Sequence, residues 1–320
     1  MPPSRSVDSL EKGAQERRWL DVCDLPDGSP LRLPLLVARG KTDGPTIVVL
    51  GGVHGDEYEG MAAVRAVFRD LNLSELRGTF AGVPLCNPPA FGAGTRESPV
   101  DGLNLSRIFP GHPDGAVSER IAHVLTESVV SKADFLIDLH SSGSRMSMPL
   151  LAGYAKGDGD AARQSREAAL RFGLPVVWGH ERVAPGRTLS GPHARGIPWL
   201  YTESPSGGWL HHDVADRYAL GAMNVMRYLA MLPGEAPRAE IDHDLAGDGD
   251  VDQSLSVPIA GFLRPCVNLL DRVSTGDLLG VVEDPTGKTL AELRAPSPGV
   301  IMVRRESPPV QPGDIAFLLT

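Results

Sequence analysis

Within GGVHGDEYEG (51–60), His54 and Glu57 stand three residues apart where an apolar run gives way to helical periodicity. Neutral imidazole and carboxylate both suit Zn²⁺, and this spacing lets them reach one ion from a single turn. Alone, H-x-x-E is a weak pattern, equally at home at a solvated helix start. A third candidate strengthens it, because His140 ends the apolar run DFLIDLH (134–140). A histidine directly after a buried strand sits where α/β sheets hold ligands, outside the carboxyl ends of the strands. Taken singly it reads as well as a hydrogen-bonded core histidine. Three such ligands leave one coordination position open, as in catalytic rather than structural zinc sites. Asp138, two residues earlier on the same strand face, could orient His140 or merely cap the strand.

Glu203 also follows an apolar run, in WLYTESPSGG. A carboxylate beside a metal ion can take a proton from the attacking water and deliver it to a leaving amine. Taken alone, a glutamate before a turn is usually just solvated. The Gly/Pro-rich loop 94–111 carries Arg96 and Arg107, and guanidinium suits the gripping of a carboxylate or a developing oxyanion.

Other patterns are set aside. Ser141, Ser142 and Ser206 lie near glycines, but no G-x-S-x-G elbow exists. Asp242, Asp244, Asp248, Asp250 and Asp252 lack the Gly and distal Glu of an EF-hand loop and read as a solvated acidic linker. Lys288 precedes Ala295-Pro296 without the flanking methionines of a biotinyl carrier and reads as an unmodified hairpin-tip lysine.

The elements that must position these groups follow from periodicity. After a charged leader (Arg5, Asp8, Glu11, Lys12, Glu16, Arg17, Arg18), two strands flank an Asp27-Gly28 turn. Strands are expected at 46–52, 79–86, 134–140 and 197–203, and helices at 57–71, 117–130, 160–173 and 212–232. This alternation predicts an α/β fold, a parallel or mixed sheet with helices on both faces. Composition shifts after residue 233, which divides the chain into a catalytic domain (1–233) and a smaller, all-β C-terminal domain (234–320). Within the latter, 273–282 and 310–319 share V-x-x-G-D and an apolar run, predicting matched hairpins of a small sandwich or barrel.

Composition excludes several classes. With 31 Lys+Arg against 40 Asp+Glu in 320 residues, the net charge of −9 argues against nucleic acid as a partner. No apolar run approaches the ~18 residues of a membrane span, and the N-terminus has no apolar signal core. Cys23, Cys86 and Cys266 are odd in number and far apart, which fits a reducing, cytoplasmic setting. A homo-oligomer is compatible with the sequence, which carries no signal for one.

The segments GGVHGDEYEG, AGTRESPVDGLNLSRIFPG, DFLIDLHSSG and TESPSGG occur in an order and context that resembles the succinylglutamate desuccinylase/aspartoacylase family of zinc-dependent deacylases, from about residue 45 to the C-terminus. The resemblance implies a zinc-carboxypeptidase-like fold and one Zn²⁺ per chain, held by His54, Glu57 and His140. It implies Glu203 as general base and acid, Arg96 as carbonyl polariser, and Arg107 with Asn104 as substrate-binding residues. Ser106 departs from the family pattern, in which Asn commonly precedes the arginine, and TESPSGG differs from the common Glu-Leu-Gly-Gly form. The expected activity is removal of an acyl group from a small N-acylated amino acid or amine. The alternatives are a metallocarboxypeptidase acting on peptides and a non-catalytic metal-binding protein.

Overall fold

The structure is a computed structural model that describes residues 7, 10–205 and 207–320; Arg5, Asp8 and Ser206 lie outside the described residues. Its largest element is a nine-stranded mixed sheet. The strands are β1 (Ala14–Asp24), β2 (Pro30–Arg39), β3 (Thr42–Gly51), β4 (Arg77–Val83), β5 (Phe135–Leu139), β7 (Leu151–Ala155), β8 (Val176–His180), β9 (Trp199–Glu203) and β10 (His243–Ala246), with β6 (Met146–Ser147) outside it. Their order is β1-β2-β4-β3-β5-β9-β7-β8-β10. β4, β3, β5 and β9 run parallel, while β7 turns antiparallel to β9 and is continued in parallel by β8 and β10.

Strand alternation divides the core. Ile47, Val49 and Phe80 point to the face covered by helices α1 (Tyr58–Asp70), α4 (Asp160–Phe172) and α6 (His212–Tyr228). Val48, Leu50 and Ala81 point to the other face, where α3 (Val117–Ser128) brings Ile121, Ala122 and Leu125. The short helices α2 (Pro88–Ala93) and α5 (Ser190–Ala194) complete the layers. Each central strand is covered on both sides, hence its unbroken apolar sequence. Helix α4 ends where expected, on Gly173 at φ +97°.

The C-terminal segment forms two antiparallel sheets from β11 (Leu255–Ser256), β12 (Gly261–Pro265), β13 (Arg272–Val273), β14 (Leu278–Glu283), β15 (Thr289–Arg294), β16 (Gly299–Arg305), β17 (Pro309–Val310) and β18 (Ile315–Leu319). One is ordered β11-β18-β16-β13 and the other β15-β14-β12-β17, with Leu263, Leu279, Ile301 and Phe317 among the residues packed in their shared core. This part is joined to the rest of the fold. β6 pairs with β16, and Met148 and Trp178 pack with Val300, Met302 and Leu318.

The acidic stretch after residue 233 is not a solvated linker. Residues 243–246 form the edge strand of the large sheet, Asp244 pairs with Arg166 at 2.6 Å, and Asp250 and Asp252 pair with arginines across the fold. A cluster of carboxylates reads as solvated until the partners that neutralise it, distant in sequence, are brought alongside.

Candidate active site

Because β3, β5 and β9 are adjacent and parallel, whatever follows their carboxyl ends converges. β3 leads to His54 and Glu57, β5 to His140, and β9 ends at Glu203. One donor atom from each of His54, Glu57 and His140 lies within 4.8 Å of the others. Glu57 opens α1 at its N-cap position, so the turn out of β3 sets its direction. Its Oε2 lies 2.8 Å from His140 Nδ1 and accepts from the Ser141 backbone at 3.2 Å, while Oε1 accepts from Arg96 Nη1 at 3.0 Å.

Asp138 lies beside His140, its Oδ2 being 3.0 Å from Nε2 and also accepting from the Thr188 hydroxyl. Burial opposes a charge on His140, but the Asp138 and Glu57 carboxylates overcome it and hold the imidazole well above its ordinary pKa. Burial and the Arg96 and His140 charges hold His54 well below. A neutral His54 beside a carboxylate and an imidazole that is cationic only for want of another positive charge is a donor set that fits a divalent cation.

Glu203 Oε2 is buried without a hydrogen-bond partner among the described residues. Burial, then the Glu57 carboxylate, push its pKa up to about 8, against the pull of His140 and Arg96. A buried carboxyl perturbed in this way beside a cavity is suited to proton transfer.

The arginine loop is tied to the ligand loop by Gly55 N–H donating to Thr95 O at 3.0 Å. Asn104 accepts through Oδ1 from the Ser106 amide and hydroxyl, holding the turn Leu105–Arg107. The Ser106 hydroxyl is 3.2 Å from His54 Nε2 and accepts from Arg107 Nη1 at 2.8 Å, so it links the ligand histidine to the arginine. Arg107 is not directed at open space. Its Nε and Nη2 grip Asp252 at 3.0 and 2.9 Å, and Arg187 reaches both Asp250 and Asp252 at 3.0 Å.

Two cavities meet here, of about 120 and about 480 Å³, both lined by Arg96, Arg107 and Glu203. The smaller lies over one sheet face and takes alternate residues of neighbouring strands: Asp138 and His140, Trp178 and His180, Trp199 and Tyr201. Sequence reasoning missed His180, Arg187, Tyr201 and the two aspartates. For His180 a signal existed, since VVWGH is another apolar run ending in histidine. The other tryptophan near Glu203, Trp209, is 71% exposed.

His180 Nδ1 faces the Gly247 carbonyl at 2.8 Å, so it carries the proton, and Nε2 then accepts from the Tyr201 hydroxyl at 2.8 Å. Burial pushes the His180 pKa down to about 4.

A mixed sheet that brings His54, Glu57 and His140 together beside a buried carboxylate at its parallel strand ends is an arrangement that could hold a divalent metal ion. The catalytic-domain model of the succinylglutamate desuccinylase/aspartoacylase family matches residues 43–229, and the chain belongs to that family. It is 32% identical over 286 residues, 88% of this chain and 83% of the relative, to the N-alpha-acetyl-L-2,4-diaminobutyric acid deacetylase of Halomonas elongata. Among solved structures it resembles the product-bound ectoine utilization protein EutE (DoeB) of Ruegeria pomeroyi, with TM-score 0.89 and 27% identity over 100% of this chain and 99% of that one. A succinylglutamate desuccinylase from Silicibacter sp. TM1040 superposes with TM-score 0.86 and 27% identity over 99% and 98% of the two chains.

Proposed function

We propose that this protein is a zinc-dependent hydrolase that removes the acyl group from a small N-acylated amino acid, with an acylated diamino acid as the favoured substrate class. The carrying observation is the His54, Glu57 and His140 group beside the buried, unpartnered Glu203 Oε2. Similarity to a deacetylase of an N-acetylated diamino acid supports the substrate class.

His54, Glu57 and His140 would hold the ion, with Asp138 fixing the orientation of His140. When bound, zinc polarises the scissile carbonyl and makes water acidic enough to attack at neutral pH. Glu203 takes the proton from the attacking water. As the C–N bond breaks, the same carboxyl returns that proton to the amine nitrogen, so the amine leaves neutral and the acyl group leaves as a carboxylic acid. Arg96 turns its guanidinium to the carbonyl oxygen, where negative charge develops. Arg107 anchors the substrate carboxylate, with the Asn104 amide group beside it.

The catalytic unit is residues 1–233, and residues 234–320 shape its site, although β10 crosses that division to join the large sheet. No helix among the described residues is long and apolar enough to cross a membrane, and three unpaired cysteines support a reducing, cytoplasmic setting.

The test is to load the protein with zinc, supply a panel of N-acetyl and N-succinyl amino acids and acylated diamino acids, and assay the freed amine. Turnover that is abolished by a chelator and restored by about one zinc per chain is expected. Undiminished turnover in chelator, or none on any member of the panel, refutes the proposal.

A further inference from the structure

Strand β10 runs into residues 247–252, of which Asp248, Gly249, Asp250 and Val251 line the small cavity and Val251 and Asp252 line the larger one. The close approach depends on Gly249, at φ +67°, where a Cβ would stand 2.4 Å from the His180 ring. The segment ends with the Asp252 carboxylate between two guanidinium groups. Oδ1 accepts from Arg107 Nη2 at 2.9 Å, and Oδ2 accepts from Arg107 Nε and Arg187 Nη2, both at 3.0 Å. An arginine forked across both oxygens, with a second arginine on one of them, is how proteins seat a free carboxylate ligand.

The two aspartates differ. The Asp250 side chain is 22% exposed and holds Arg187 alone, whereas Asp252 is 50% exposed and touches both arginines. Asp252 can swing into water without breaking the Asp250 contact, so the seat survives its departure. Burial tends to raise the Asp252 pKa, but hydrogen bonds from Arg107 and Arg187 prevail and keep it low, so the occupant is the anion.

We propose that Asp252 determines specificity as the resting occupant of a carboxylate seat built by Arg107 and Arg187, which a substrate carboxylate enters by displacing it. The inference rests on the deacylase reading and extends it. Exchanging one carboxylate for another leaves the number of guanidinium bonds unchanged. Binding of an acid at that end therefore bears the cost of displacing an intramolecular competitor, whereas a neutral amide leaves Asp252 in place.

The experiment uses the full chain carrying Glu203→Gln, which keeps the probe intact, with and without Asp252→Asn. Binding of N-acetylglycine and of its neutral counterpart N-acetylglycinamide is measured by calorimetry. Asp252→Asn removes the competing charge, so the acid is expected to bind about tenfold tighter and the amide equally well. Asp252→Ala should behave alike, which separates the effect from any new contact of the asparagine. Unchanged or weaker acid binding, an equal gain for both ligands, or no acid binding in the emptied seat at millimolar concentration overturns the proposal. Its failure is distinct from that of the deacylase reading: inactivity of the zinc-loaded wild type on all acylated amino acids refutes that reading alone if the calorimetric difference stands.

Discussion

Gly60→Ala sets two physical effects against each other and shows whether the packing of α1 holds the metal ligands. In a helix, Gly→Ala ordinarily stabilises by about 1 kcal/mol. At Gly60 the added methyl would stand 2.5 Å from the Leu139 carbonyl oxygen and 2.7 Å from its Cβ, in the last residue of β5. Restoring ordinary contact requires α1 and β5 to part by roughly 1 Å, an overpacking that costs about 1–3 kcal/mol and outweighs the propensity gain. Glu57 begins that helix and His140 follows that strand, so the 2.8 Å contact between them opens by a similar amount. Productive site geometry tolerates about 0.5 Å. The expected outcome is a melting temperature lower by a few degrees and zinc affinity reduced about 10–100-fold, read by thermal melts and chelator competition. Gly191→Ala in α5 is the control, since its methyl would meet nothing within 4 Å. A Gly60→Ala protein that melts higher than wild type and binds zinc as tightly would refute the reasoning.

Glu203→Gln is expected to retain fold and metal content while lowering kcat by roughly 10² or more, and near-normal turnover would move the proton transfer elsewhere. Arg96→Ala should depress kcat and kcat/KM together, because its contact with the oxyanion strengthens only in the transition state, whereas Arg107→Ala should chiefly raise KM for carboxylate substrates. Identical defects in steady-state kinetics would contradict that division. His180, held near 4 against an ordinary 6.5, is neutral when folded, so the unfolded chain binds its proton first as pH falls. Its contribution is fully present above pH 6.5 and is lost on descending toward 4, roughly 2–3 kcal/mol between pH 7.5 and 4.5. Urea titrations at the two pH values should show that excess loss relative to His180→Gln, and parallel losses would remove His180 from the account.

The candidate site residues were legible in the sequence because each stands beside a strand whose apolar run is unmistakable. TIVVLGG precedes His54 and Glu57, DFLIDLH ends in His140, and WLYTE ends in Glu203. A strand buried on both faces must be apolar throughout, so its end is marked by the first chemistry-bearing residue. The main helices were legible for the related reason that a 3.6-residue period matches a one-sided burial. Strands β7 and β10 were not. Nothing local distinguishes LAGYA or HDLA from loop. β10 is paired only along one edge, by a strand more than 60 residues earlier.

What the sequence determined, then, is which residues are candidates for chemistry and that they lie at strand ends. Only the tertiary structure decided that β3, β5 and β9 are neighbours with a common direction, which turns three strand ends into one site. It also decided the partners of Arg107 and Arg187. Their carboxylates come from Asp250 and Asp252, residues that read as a solvated acidic run. Charge pairing has no period along the chain: it is set by which surfaces the apolar core brings together, and the distance in sequence between Arg107 and Asp252 leaves no local trace of it.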